Sequence, residues 1–177
     1  MRLFAALPLP DGVAESLLLM VGGIPGARWQ RREQLHLTLR FIGEVDGRVA
    51  ADVDDALAVL SAPGFTVALH GFGTFGGRDP RQLWAAVRPN PALMHLQRKI
   101  ETALQRIGLA AEPRKFTPHV TLAKLKASPR EKVTDYLSAH ALYTSTPFDI
   151  DAFGLYSSTL TPNGSLYRCE RCYPLAS

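Results

Sequence analysis

The chain has 177 residues, of which 46% are hydrophobic and 20% charged, and carries a net charge of +4 at pH 7. That length suits one domain of two lobes, residues 1–177, burying about 70% of its unfolded surface. The mild positive balance permits a phosphate-bearing partner such as RNA but is too sparse for a nonspecific nucleic-acid coat.

The amino terminus, Met1 to Pro8, has one charged side chain and too short an apolar run for a signal peptide. No stretch approaches the roughly 18 apolar residues of a membrane span, so a cytoplasmic protein with no membrane partner is expected. Arg2–Leu7 reads as a short apolar strand closed by Pro8 and Pro10, after which Asp11 caps a helix reaching Met20 and stopped by Gly22-Gly23. Arg28 to Arg32 leads into a strand, Leu35-His36-Leu37-Thr38-Leu39-Arg40-Phe41, that ends at Gly43. Arg48–Ser61 spaces Val49, Val53, Ala56, Leu57 and Leu60 as an amphipathic helix.

Gly71-Phe-Gly73-Thr-Phe-Gly76 has the letters of a dinucleotide-binding turn. That turn works by opening a helix whose amino end receives a pyrophosphate, whereas Gly77 to Pro80 here continues a rim loop into a strand, Gln82–Arg88. Asn90-Pro91 starts the best-specified helix, with Leu93, Leu96, Ile100, Leu104 and Ile107 on one stripe and Gly108 as its stop. A second strand is expected from Lys115 to Lys126, a helix from Ser128-Pro129 to about Ser138, a strand over Phe148–Asp151, and a hairpin pairing Phe153–Leu160 with Leu166–Tyr173 across Thr161–Gly164. Mixed helices and strands joined by short turns predict an α+β fold with mostly antiparallel sheets.

Two phrases stand out in this order of elements. His36-Leu37-Thr38-Leu39 and His119-Val120-Thr121-Leu122 share the pattern His-x-Thr-Leu. Successive side chains of a strand alternate faces, so each His shares a face with its Thr, and Leu35, Leu37, Leu39 and Phe41 fall on the other face. Phe65 and Phe148 each lie 29 residues past a motif His, and a Phe-Gly pair follows in both cases, Phe72-Gly73 and Phe153-Gly154. The chain therefore reads as two related halves, each giving one imidazole and one hydroxyl to a common cleft.

Two neutral-pH imidazoles across a cleft supply a base and an acid. In-line displacement at phosphorus needs both, one to take a proton from water and one to protonate the departing oxygen. Thr38 and Thr121 would donate to nonbridging oxygens, each for about 2–4 kcal/mol of barrier. Arg40 shares the face of His36 by parity and is a candidate phosphate contact. Lys124 has the opposite parity from His119 and reaches the cleft only if its strand twists or bulges. Phe116 and Trp29 are candidate base-stacking rings, or core. His70, His95 and His140 have no partner in the pattern.

These motifs resemble the 2H phosphoesterase superfamily, and more closely its RNA 2′,3′-cyclic phosphodiesterases, once called 2′-5′ RNA ligases. The likeness also rests on Arg2-Leu3-Phe4, Ala6-Leu7-Pro8, Arg40-Phe-Ile-Gly43-Glu44-Val45, Leu83-Trp84-Ala85, Phe116-Thr-Pro-His119 and Leu155-Tyr156-Ser157-Ser158. It implies a two-lobed, pseudo-twofold fold of two sheets flanked by helices around a central cleft. It further implies a hydrolase with no metal or other cofactor, acting as a monomer on RNA ends bearing a 2′,3′-cyclic phosphate, including tRNA fragments, or on cyclic nucleotides, and yielding a 2′-phosphate. In that family the first-motif His serves as acid toward the 3′ oxygen and the second as base, roles the resemblance carries onto His36 and His119. The family often has Arg-Pro-Phe and a later Arg where this chain has Arg114-Lys115-Phe116 and Lys124, and lysine lacks the bidentate fork.

Rival readings are a noncatalytic binder of RNA ends, a 2′-5′ ligase or 2′-5′ phosphodiesterase in the same cleft, and a metal hydrolase using both histidines, for which the motifs bring no carboxylate. Cys169-Glu-Arg-Cys172 invites a redox or zinc reading. Four zinc ligands are lacking, and positions three apart on a regular strand face opposite ways.

Overall fold

A computed structural model describes residues 1–177. The strands are β1 (Arg2–Pro8), β2 (Ala27–Trp29), β3 (His36–Glu44), β4 (Phe65–Val67), β5 (Leu69–Phe75), β6 (Gln82–Val87), β7 (His119–Leu125), β8 (Phe148–Ile150), β9 (Ala152–Thr161) and β10 (Gly164–Pro174). The helices are α1 (Asp11–Leu18), α2 (Gly47–Ala58), α3 (Pro91–Arg106) and α4 (Arg130–Ala139), with a short 3₁₀ turn at Arg32–Gln34. The α+β expectation holds. No helix is long and apolar enough to cross a membrane.

The main sheet runs β10-β9-β1-β3-β7-β6-β5, with β2 also on β7, and a second sheet pairs β4 with β8. All of these pairings are antiparallel. The halves of the main sheet meet at one residue pair, Leu37 with Val120. The second sheet is centred on Thr66 opposite Asp149. Both central pairs join equivalent places of the two sequence halves, which is the pseudo-twofold relation the repeated motifs and the matching 29-residue spacings predict.

Register makes the equivalence residue by residue. Ala6, Ala5 and Phe4 of β1 face Thr38, Arg40 and Phe41 of β3, while Trp84, Leu83 and Gln82 of β6 face Thr121, Ala123 and Lys124 of β7. Each motif strand has one extra residue immediately after its Thr, Leu39 in β3 and Leu122 in β7. These bulges invert the alternation beyond them. The repeated Phe-Gly pair has a packing cause as well: a Cβ on Gly154 would come within 2.6 Å of the Tyr156 ring, and one on Gly73 would collide with the Trp84 indole.

The core lies on the reverse face of the sheet under the helices and includes Leu37, Leu39, Val120 and Leu122 from the motif strands and Leu93, Leu96, Ile100 and Leu104 from α3. Asn90 caps α3 by accepting from Leu93 N at 3.0 Å, as its sequence predicts. Other boundaries differ. Asp11 is the first residue of α1 rather than its cap, and its carboxylate pairs with Arg32 at 2.9 Å. Residues 115–118 do not extend β7, because Pro118 has no N–H to give a ladder and the Thr117 carbonyl is taken by the His119 ring. The first glycines of the Gly71–Gly76 stretch belong to β5, and the rim is the tight turn after Phe75.

Candidate active site

Antiparallel pairing of Leu37 with Val120 sets His36 toward Thr121 and Thr38 toward His119. Leu37 and Val120 are fully buried, so the four polar side chains emerge on the opposite, open face, where each remains partly accessible. The structure thus gathers the two imidazoles and two hydroxyls around the point where the halves join.

Both rings are held alike. His36 Nδ1 lies 2.8 Å from the carbonyl of Gln34, and His119 Nδ1 lies 2.6 Å from the carbonyl of Thr117. A carbonyl only accepts, so each neutral ring carries its proton on Nδ1 and turns a basic Nε2 toward the cleft. The His36 pKa is pushed down to about 4, chiefly by burial and further by the charge of His119, against the pull of the Gln34 carbonyl. Burial also lowers His119, opposed by its bond to Thr117. A phosphodiester anion between the rings acts in the opposite sense and raises both.

The surroundings of the two rings differ. Thr38 Oγ1 lies 3.0 Å from His36 Nε2 and, with Nδ1 protonated, donates its hydroxyl proton there. Phe4 and Tyr167 pack against His36 at centroid distances of 4.9 and 5.1 Å. Around His119 the rings are Phe75 at 5.0 Å and Trp84 at 5.7 Å. Gln82 Nε2 donates to Thr121 Oγ1 and lies 3.4 Å from His119 Nε2. No quoted phrase marks Gln82 or Tyr167, whose places follow from strands β6 and β10, whereas Phe4 and Tyr156 stand in phrases that carry the resemblance.

Register decides the places of Arg40, Phe41 and Lys124. Arg40 is not at the cleft: the Leu39 bulge turns it to the helix face, where it is 8% exposed and bonds Glu101 of α3 and the carbonyls of Phe41 and Ala110. Burial alone would raise the Glu101 carboxyl, but hydrogen bonds from Arg40, Gln105 and Glu112 N hold it below its ordinary value. The same bulge brings Phe41, expected on the face of Leu37 and Leu39, to the cleft side beside Phe4, where it is 50% exposed. Lys124 does reach the cleft side, by the bulge at Leu122 that such an arrangement required. It pairs in register with Gln82 on one flank and Arg28 of β2 on the other.

Trp29 is turned the other way, opposite buried Ala123, and its ring packs 5.8 Å from Tyr136 of α4. Phe116 packs against the edge of the core and has no ring contact with either histidine. Both rings are partly buried and pack against the core. The cysteines also depart from strand parity: a bulge at Glu170 places Cys169 opposite Tyr156 and Cys172 opposite Gly154, on one face, and both thiols are free.

Comparison with known proteins gives one consistent result. Residues 25–161 match the model of the 2′-5′ RNA ligase superfamily. The chain is 34% identical over 178 residues to the RNA 2′,3′-cyclic phosphodiesterase of Thermotoga maritima, covering 95% of this chain and 92% of that one. It is 28% identical over 177 residues to the RNA 2′,3′-cyclic phosphodiesterase of Archaeoglobus fulgidus, covering 98% and 99%. Among solved structures, a protein of Thermus thermophilus superposes with a TM-score of 0.81 at 27% identity over 98% of this chain and 97% of that one. E. coli LigT complexed with 3′-AMP superposes at 0.81, with 24% identity over 99% and 98%.

Proposed function

The chain belongs to the 2′-5′ RNA ligase superfamily, and from that membership we propose that it hydrolyses 2′,3′-cyclic phosphates at RNA ends to 2′-phosphomonoesters. The observation that carries the reading is the pair of Nε2 atoms, each fixed by its own carbonyl, facing one cleft about the Leu37–Val120 pair. His36 and His119 are the acid–base pair. Thr121 and Thr38 donate to the nonbridging oxygens. Lys124, with its charge on the cleft side, draws in the phosphate. Arg40 has a structural role and does not grip substrate.

The whole chain acts as one two-lobed domain, a reading supported by a core continuous across both halves. It works as a monomer in the cytoplasm, with tRNA fragments among its RNA ends. When His36 is protonated it no longer accepts from Thr38, which frees that hydroxyl for phosphate.

The test is to supply RNA ending in a 2′,3′-cyclic phosphate and nucleoside 2′,3′-cyclic phosphates, and to identify the product. A 2′-phosphate, formed equally well in EDTA, is expected. Tight binding with no turnover on any cyclic phosphate would leave a noncatalytic RNA-end binder instead.

A further inference from the structure

The two halves differ most where their register makes them comparable. Phe4 opposite Phe41 in the first half corresponds to Gln82 opposite Lys124 in the second. Phe4 lies among the rings of His36, Tyr156 and Tyr167, at centroid distances of 4.9, 5.4 and 5.1 Å. Both histidines have aromatic neighbours, Phe75 and Trp84 standing beside His119, but only on the His36 side is the strand position past the bulge itself aromatic. Gln82 brings an amide to the corresponding ground beside His119: Nε2 donates to Thr121 Oγ1 and lies 3.4 Å from His119 Nε2, and the carbonyl Oε1 makes no hydrogen bond to protein.

Hydrolysis at phosphorus is asymmetric in a matching way. One side carries the sugar oxygen that departs, and the other receives water, whose two protons both want acceptors as it attacks. His119 Nε2 is one such acceptor. A second acceptor beside it would hold the other proton, and the side chain in hydrogen-bond contact with that nitrogen is Gln82, whose amide brings Nε2 to 3.4 Å with Oε1 on the same planar group.

On the phosphodiesterase reading given above, we propose that Gln82 is a catalytic residue of the water side, its Oε1 accepting one proton of the attacking water while its Nε2 holds Thr121 with the hydroxyl proton free for a phosphoryl oxygen. The water oxygen bonds to phosphorus as its other proton passes to His119 Nε2. The P–O3′ bond breaks and the 3′ oxygen takes a proton from His36, leaving a 3′-hydroxyl and a 2′-phosphate. The proton held by Gln82 stays on the new phosphate oxygen. The sugar then lies toward His36 and Phe4.

Methanol separates this role from a structural one, because it has a single hydroxyl proton, which goes to His119, and does not use Oε1. Gln82→Met is expected to slow hydrolysis of a nucleoside 2′,3′-cyclic phosphate about tenfold or more with KM nearly unchanged. In water–methanol mixtures the ratio of 2′-phosphate methyl ester to 2′-phosphate should rise severalfold above that of the wild type. An unchanged ratio overturns the proposal whatever the rate, since a loss of structure slows both nucleophiles alike. If the methionine variant does not fold, Gln82→Ser gives the same ratio test at this partly exposed strand position. Wild-type protein that forms neither product removes the phosphodiesterase reading itself, and this inference with it.

Discussion

Strands β3 and β7 carry the same phrase and bulge at the same place, yet the residues just past the bulge have been put to different uses. In β3 the helix-side residue is Arg40, engaged with Glu101, and the cleft-side residue is Phe41. In β7 the corresponding residues are Ala123, buried and apolar, and Lys124, exposed and cationic. The shared part sets two imidazoles in equivalent frames, as a reaction with one proton given and one taken requires. The unshared part distinguishes the sides: both histidines have aromatic neighbours, but the pair past the bulge is Phe4 with Phe41 on the His36 side and Gln82 with Lys124 on the His119 side. A duplicated scaffold thus supplies the symmetry, and a few substitutions supply the direction.

The largest effect should come from breaking the shared part. His36→Ala and His119→Ala are each expected to cut kcat on a cyclic nucleotide by roughly 10²–10⁴, with the double variant little worse than either single one because the pair acts as a unit. Steady-state kinetics on the three proteins decide it, and one single variant at the wild-type rate would remove the acid–base pair.

Arg40 tests the unshared part from the helix side. Its guanidinium and the Glu101 carboxylate are largely buried, with side-chain exposures of 7% and 16%. Arg40→Leu leaves that carboxylate without its partner and should lower unfolding free energy by about 3–5 kcal/mol, read from urea denaturation. KM of the remaining folded protein should scarcely move. A large KM increase without loss of stability would return Arg40 to the substrate.

Acid should expose the difference between the two rings. The folded-state pKa of His36 is about 4, against an ordinary value of 6.5, so the unfolded chain takes up that proton first as pH falls. Stability present above pH 6.5 is then lost progressively toward pH 4, by about 2–3 kcal/mol for this ring. Unfolding midpoints measured across that window should fall with acid. The slope should flatten more in His36→Ala than in His119→Ala, whose ring is also lowered by burial.

The smallest effect is expected at Lys124. Lys124→Ala should raise KM for a cyclic phosphate with little change in kcat or stability, by roughly the 1 kcal/mol of an exposed charge contact, and the difference should shrink in high salt. Phe41→Ala provides the contrast in the first half, since a KM increase there should survive high salt.

Much of the site was legible before any coordinates. The alternation of apolar residues determined that His36 and Thr38, and likewise His119 and Thr121, leave their strands on one face, and the matched spacing of Phe65 and Phe148 determined that the chain is built of two halves. Strand parity failed for the site where an extra residue entered a strand at Leu39, Leu122 or Glu170, and those three positions decided Arg40, Lys124 and the two cysteines. Trp29 and Gln82 were decided by which strand they pair with. Periodicity is a local property that a short stretch of sequence carries in full. Bulges and cross-strand partners depend on how distant segments fit against a common core, so only the assembled sheet could say which side chains complete the cleft.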